Sequence, residues 1–205
     1  MNRKTCFSIL GLLVLALLLS GCPKKLVKVP PLEGPPVENP IAQLVAAFSS
    51  AETLQSKASI RIDSFQRGEE VNYRINGVVF YQKPETLRII GYHPFPLPMD
   101  LFDALYEKGK FFLLIPAHET VYTGEISEFD NLMKGTEVRM SIEKIDGSEV
   151  PNRIRIDLVR EKVKIEIKLK DISLNTSLPE DSFQWTTPEG IRIRPLAQLR
   201  GEIPQ

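Results

Sequence analysis

Residues 162–170 read Lys-Val-Lys-Ile-Glu-Ile-Lys-Leu-Lys, a strict alternation of charge and aliphatic bulk. A β-strand turns successive side chains to opposite faces, so this period of two puts Val163, Ile165, Ile167 and Leu169 on one side and the charges on the other. Upstream, Ile154, Ile156 and Leu158 alternate with Arg153, Arg155 and Asp157, and Val138, Met140 and Ile142 alternate with Arg139, Ser141 and Glu143. Asp146-Gly147 between those runs is a turn signal. After Lys170-Asp171 the phase slips, because Ile172 and Leu174 come one position late; a β-bulge predicts that slip.

The same period extends toward the N-terminus. Ala58, Ile60 and Ile62 form one run and Val71, Tyr73 and Ile75 a second, and Leu87 and Ile89 open a third after the Lys83-Pro84 turn. Three more, at 99–106, 111–115 and 119–123, are separated by Lys108-Gly109 and Pro116, and Phe183, Trp185, Ile191 and Ile193 close the domain. Nine or ten strands in a meander, each with one apolar and one charged face, predict an antiparallel sheet curled around its apolar side. The period changes to 3.6 in two places. Ile41, Leu44, Val45 and Phe48 make an apolar helical stripe behind an Asn39 cap with Pro40 at the first position. Ile126, Phe129, Leu132 and Met133 suggest one or two further turns, closed by Gly135.

The N-terminus carries a different signal. Arg3 and Lys4 precede a run from Phe7 to Leu19 that is apolar apart from Ser8. Thirteen residues are too few for a hydrocarbon core, which needs roughly 20, so the run describes an export signal rather than an anchor. Leu19-Ser20-Gly21-Cys22 resembles the lipobox of bacterial lipoproteins, which implies cleavage before Cys22 and lipid attachment to it; the rival reading is an ordinary secretory signal with a chance Cys. Three segments are expected: a signal peptide at 1–21, a lipidated, Pro-rich tether at 22–40, and a domain at 41–200. Six prolines between Pro23 and Pro40 favour an extended spacer. Lys24, Lys25 and Lys28 suit either anionic headgroups or the solubility of a linker.

Without the signal, 184 residues remain, with 24 basic and 26 acidic side chains. This near-neutral balance gives no support to a nucleic-acid partner. Cys6 leaves with the signal, so no disulfide is expected. His93 and His118 are far apart in sequence, and no metal-ligand spacing, P-loop, dinucleotide fingerprint or nucleophile elbow occurs. Glu69-Glu70, Glu125, Glu128 and Asp130 sit beside turns, where solvated acids are the default. No catalytic residue, metal or cofactor is nominated, and a non-enzymatic, monomeric protein is expected. From pattern alone the apolar face favours a solid core packed on the helix over a space for an apolar ligand. His93-Pro-Phe-Pro-Leu-Pro-Met99 is a stiff extended loop. Its Phe95, Leu97 and Met99 either tuck into the core or project as a membrane or protein contact.

The order of features resembles the LolA/LolB-like family of lipoprotein carriers and outer-membrane lipoprotein receptors. The resemblance rests on Ile41–Ser50 running into Leu54–Ile62, on Val79–Gly91, on Gly109–Pro116 with Val121–Gly124, and on Leu174–Phe183 before Thr187–Gly190. It implies a mainly β (α+β) fold: an incompletely closed antiparallel β-barrel with an N-terminal helix and a short helical lid, enclosing an apolar cavity for acyl chains. The implied lining is Ile60, Ile62, Tyr73, Ile75, Leu87, Ile89, Val138, Met140, Ile142, Ile154, Ile156, Leu158, Val163, Ile165 and Ile167. Phe95, Leu97 and Met99 would form the membrane-insertion loop. The implied partners are the membrane, through Cys22, acyl chains of lipids or lipoproteins, and a LolA-like periplasmic carrier. Pro23, where an Asp would signal inner-membrane retention, points to the outer membrane facing the periplasm. The chain departs from the family in lacking a Gly after the apolar loop residue and in a short 124–137 segment. The rival function is a structural or assembly lipoprotein of the envelope that uses the sheet as a scaffold.

Overall fold

The structure, a computed structural model, describes residues 32–66, 69–93, 99–128 and 137–201. Helix α1 (Pro40–Phe48) is followed by β1 (Thr53–Gln66), β2 (Glu69–Gln82), β3 (Thr86–His93), β4 (Met99–Glu107), β5 (Lys110–Ile115) and β6 (Thr120–Glu125). After them come β7 (Val138–Glu143), β8 (Arg153–Leu158), β9 (Val163–Leu174) and β10 (Arg192–Pro195), then a 3-10 segment, Leu196–Gly201. Among the described residues all ten strands join one sheet in the order β10-β6-β5-β4-β3-β2-β1-β9-β8-β7, so β7 and β10 are its end strands and the barrel is incompletely closed.

Two pairings depart from a simple meander. β6 does not continue to β7; the second run of strands attaches to the first through β1 and β9, which are antiparallel. β10 lies parallel to β6 rather than antiparallel. A parallel neighbour requires a crossover, and residues 175–191 supply it by returning over the sheet. The anticipated bulge is present. Gln55 faces Ser173 while Lys57 faces Lys170, so β9 holds one residue more than β1 there, and Asp171 takes φ 51°. Ser56 closes the gap, its Oγ lying 2.8 Å from the Lys170 carbonyl and accepting from the Lys170 N–H at 3.2 Å. Asp146-Gly147 turns with φ 56° and 74°, the paired positive values that Asp-Gly tolerates.

α1 begins as its cap predicts: Asn39 Oδ1 accepts from the Ala42 N–H at 2.9 Å. Ile41, Leu44, Val45 and Phe48 are all buried against the sheet. Residues 126–128 are helical, and the remainder of the expected lid lies outside the described residues, as do Cys22, Phe95 and Leu97. The last part of the expected tether is docked. Leu32 is buried, Arg139 Nη1 donates to its carbonyl at 3.0 Å, and Val37 N–H donates to Val138 O at 2.7 Å. Residues 32–37 thus meet the start of β7, where Val37 takes one of the backbone acceptors of the end strand.

Candidate functional site

Strand register sorts every side chain onto one of two faces. Ile75, Ile60, Ile167, Ile154 and Ile142 stand opposite one another across β2, β1, β9, β8 and β7. The next row is Tyr73, Ile62, Ile165, Ile156 and Met140, and beyond it Val163, Leu158 and Val138. Leu87 and Ile89, on β3, pair with Tyr81 and Val79 of β2 on the same face. Every residue of the expected lining therefore belongs to one continuous inner face.

Burial along that face is graded. At the rim formed by the end of α1, the β2–β3 turn and the C-terminal end of β9, Phe48, Leu54, Tyr81 and Val79 are fully enclosed. The Phe48 and Tyr81 rings meet at 5.9 Å between centroids. Burial pushes the phenols of Tyr81 and Tyr106 up in pKa, so both stay neutral. Ile60, Ile75, Leu87, Ile154 and Ile167 are buried in the same cluster, and Val138 is buried as well. Toward the opposite rim the cover thins. Ile62, Ile165, Ile156 and Met140 are partly exposed, as are Leu158 and Val163, and Tyr73 is 47% exposed; Val138 stays buried at that end, and Ile89 and Ile142 are partly exposed although they lie in rows nearer α1. The inner face is packed beneath α1, and the partly covered row from Tyr73 to Met140 beyond it is the candidate apolar bay.

The open rim is defined by strand ends that share it through their pairing: the end of β1, the start of β2, the end of β3, and the starts of β4, β7 and β9. Met99 sits there, first in β4 opposite His93 and 62% exposed. Leu101, Phe102 and Phe111 also reach the inner cluster; their strands lack the strict alternation that marks 138–170. Gly91 makes room for one of them, since a Cβ built there would meet Phe102 Cε1 at 2.2 Å.

The outer face divides in two. Over β3–β5 it is covered by the returning segment 175–191, where Phe112 and Trp185 stack at 5.3 Å. That cover is pinned by Arg88. Its guanidinium meets Asp103 in a fork (3.0 and 2.7 Å), and its Nη1 donates to the carbonyls of Ser182 (3.0 Å), Asp181 (3.1 Å) and Gln184 (3.3 Å). The bond to Asp103 raises the Arg88 pKa further. Its one legible signal in sequence is a cation inside the apolar run Leu87-Arg-Ile-Ile90. Over β1, β9, β8 and β7 the outer face is a lattice of charges, including Arg61–Asp63 at 3.0 Å and Arg139–Glu137 at 2.6 Å.

Among the described residues no group of three His, Cys, Asp or Glu is placed to hold a metal, and no helix is long and apolar enough to cross a membrane. The arrangement is that of a half-open, largely antiparallel sheet with an apolar inner face, covered at one rim by a short helix. No family model and no curated protein matches the chain. Solved structures similar in fold include an uncharacterised conserved protein from Thermus thermophilus (TM-score 0.42, 10% identity, 75% of this chain and 98% of that one). A LolA superfamily protein from Nitrosomonas europaea is also similar (0.29, 13%, 70% and 97%), as is an outer membrane lipoprotein-sorting protein domain from Vibrio parahaemolyticus (0.30, 11%, 70% and 94%).

Proposed function

We propose that the protein is an envelope lipoprotein, anchored through Cys22, that holds acyl chains of lipids or lipoproteins on its inner face and releases them at the outer membrane. The supporting observation is the burial gradient. A protein using the sheet only as a scaffold has no need to leave the Tyr73, Ile62, Ile165, Ile156 and Met140 row partly uncovered while sealing the other rim under α1. Burying an acyl chain is worth about 0.8 kcal/mol per CH₂, so a short open bay holds part of a chain and yields it to a bilayer that buries more. Transfer on this account makes and breaks no bond. Delivery from a LolA-like periplasmic carrier and insertion by Phe95, Leu97 and Met99 belong to the same reading.

The test is displacement of a fluorescent fatty acid from the delipidated protein. Binding in the micromolar range, roughly −8 kcal/mol, is expected. Ile62→Phe and Ile156→Phe fill the bay without adding charge and should weaken binding while the fold is kept; Ile60→Phe, in the packed region, should instead lower stability. Probe binding that is absent, or unmoved by both bay-filling variants, would return the inner face to a solid core and favour the scaffold.

A further inference from the structure

Four large apolar side chains stand exposed among the described residues: Phe65, Tyr73, Met99 and Ile193. Phe65 is next to last in β1, Tyr73 lies opposite Ile62 near the start of β2, and Met99 opens β4. These three strand ends share the open rim, and Ile193, at the start of β10, is aligned with the start of β6. The α1 rim carries none of the four. Exposed apolar bulk gathered at one end of a sheet marks a contact surface, whereas scattered singles would not.

The chain also enters the domain at this end. Leu32 is held by Arg139 and Val37 by Val138, the first residues of β7, whose start belongs to the open rim. Leu32 is the tenth residue after Cys22. Even fully extended, ten residues span at most about 35 Å. A lipid on Cys22 therefore confines the open rim to the neighbourhood of the bilayer surface. The chemistry of the rim suits that surface. Phe65 points to the outer face and Tyr73 to the inner, so the β1–β2 hairpin carries an aromatic on each side. Lys162 Nζ sits 5.1 Å from the Phe65 ring centroid, and a long cationic stem beside an aromatic ring can lie along the apolar layer with its ammonium at the phosphates.

We infer that the end of the β1–β2 hairpin, through Phe65 and Tyr73 with Lys162 beside them, is a second membrane-docking element that seats the open rim in the headgroup layer. This rests on the reading of Cys22 as the lipidated residue. Docking there turns the apolar bay toward the bilayer, so an acyl chain leaving it crosses little water.

The experiment uses the lipidated full-length mature protein reconstituted into phosphatidylethanolamine–phosphatidylglycerol vesicles. A polarity-sensitive fluorophore is placed on Glu69→Cys at the hairpin or on Lys108→Cys at the opposite end of β4, and quenched by spin-labelled lipid. Strong quenching at position 69 and little at 108 is expected. Phe65→Ser with Tyr73→Ser should reduce quenching at 69 severalfold with the melting temperature kept, because both side chains are already exposed. Equal quenching at the two positions, or none at 69 in protein that floats with the vesicles, would overturn the inference. So would quenching at 69 that Phe65→Ser with Tyr73→Ser does not change. Protein that fails to float at all would instead overturn the Cys22 anchor, and the two failures are distinguished by flotation alone.

Discussion

Arg88 of β3 and Asp103 of β4 form a two-point ion pair on the outer face, each side chain only 13% and 15% exposed, and the same guanidinium holds three carbonyls of the returning segment. Arg88 thus joins two consecutive strands to a crossover that is distant in sequence. The crossover carries the chain from β9 to β10, so its anchorage decides whether β10 can reach β6.

Arg88→Ala should cost about 3 kcal/mol, since removing one partner leaves a buried carboxylate uncompensated. Replacing both partners by apolar residues, Arg88→Met with Asp103→Leu, should not restore stability, because the carbonyls of Asp181, Ser182 and Gln184 still lack their donor. Denaturant melts combined with limited proteolysis of residues 176–190 check both. Full recovery in the double variant would reduce Arg88 to a simple ion pair.

Ser56 serves the bulge. Its hydroxyl bonds both the carbonyl and the N–H of Lys170 beside the register shift. Ser56→Ala should therefore cost about 1–3 kcal/mol, the penalty for buried polar groups left unpaired. Asp171→Gly should be near neutral or stabilising at φ 51°, while Asp171→Val should destabilise. In thermal melts Asp171→Gly should lie highest, with Ser56→Ala and Asp171→Val both below the parent protein.

Glu143 links stability to pH. The Ser141 hydroxyl, then the guanidiniums of Arg155 and Arg153, hold its carboxyl below the ordinary value of 4.5. A depressed folded pKa contributes stability that is complete above the unfolded value and lost as pH falls through the folded one. Glu143→Gln should lower the melting temperature at neutral pH, and the gap from the parent protein should close as pH drops below 4.5. A gap independent of pH would mean that Glu143 acts by packing rather than by charge.

Gly91 sets the shape of the inner face between β3 and β4. Gly91→Ala places a methyl against the Phe102 ring, and such overpacking costs about 1–3 kcal/mol. Phe102→Leu in the same chain should recover most of the loss, because it removes the ring edge that the methyl meets. A melting-temperature series over the two single variants and the double measures the coupling.

Much of this was legible in the chain. Alternation identified β7, β8 and β9 and assigned their faces, since a period of two admits one division of the side chains. Asn39-Pro40 marked the start of α1, and the late Ile172 and Leu174 announced the bulge, because both are local consequences of backbone geometry. The sheet order was not legible. Joining β9 to β1, or laying β10 parallel to β6, depends on contacts between segments far apart in sequence, and alternation is identical for any choice of neighbour. Nor does a pattern show cover. Ile60 and Ile62 look alike in sequence, yet one lies under α1 and the other near the open rim, because a nine-residue helix reaches only so far across the sheet. The sequence by itself determined which side chains would share a face. Only the tertiary structure decided which stretch of that face is core and which is left open, because cover is set by where α1 comes to rest.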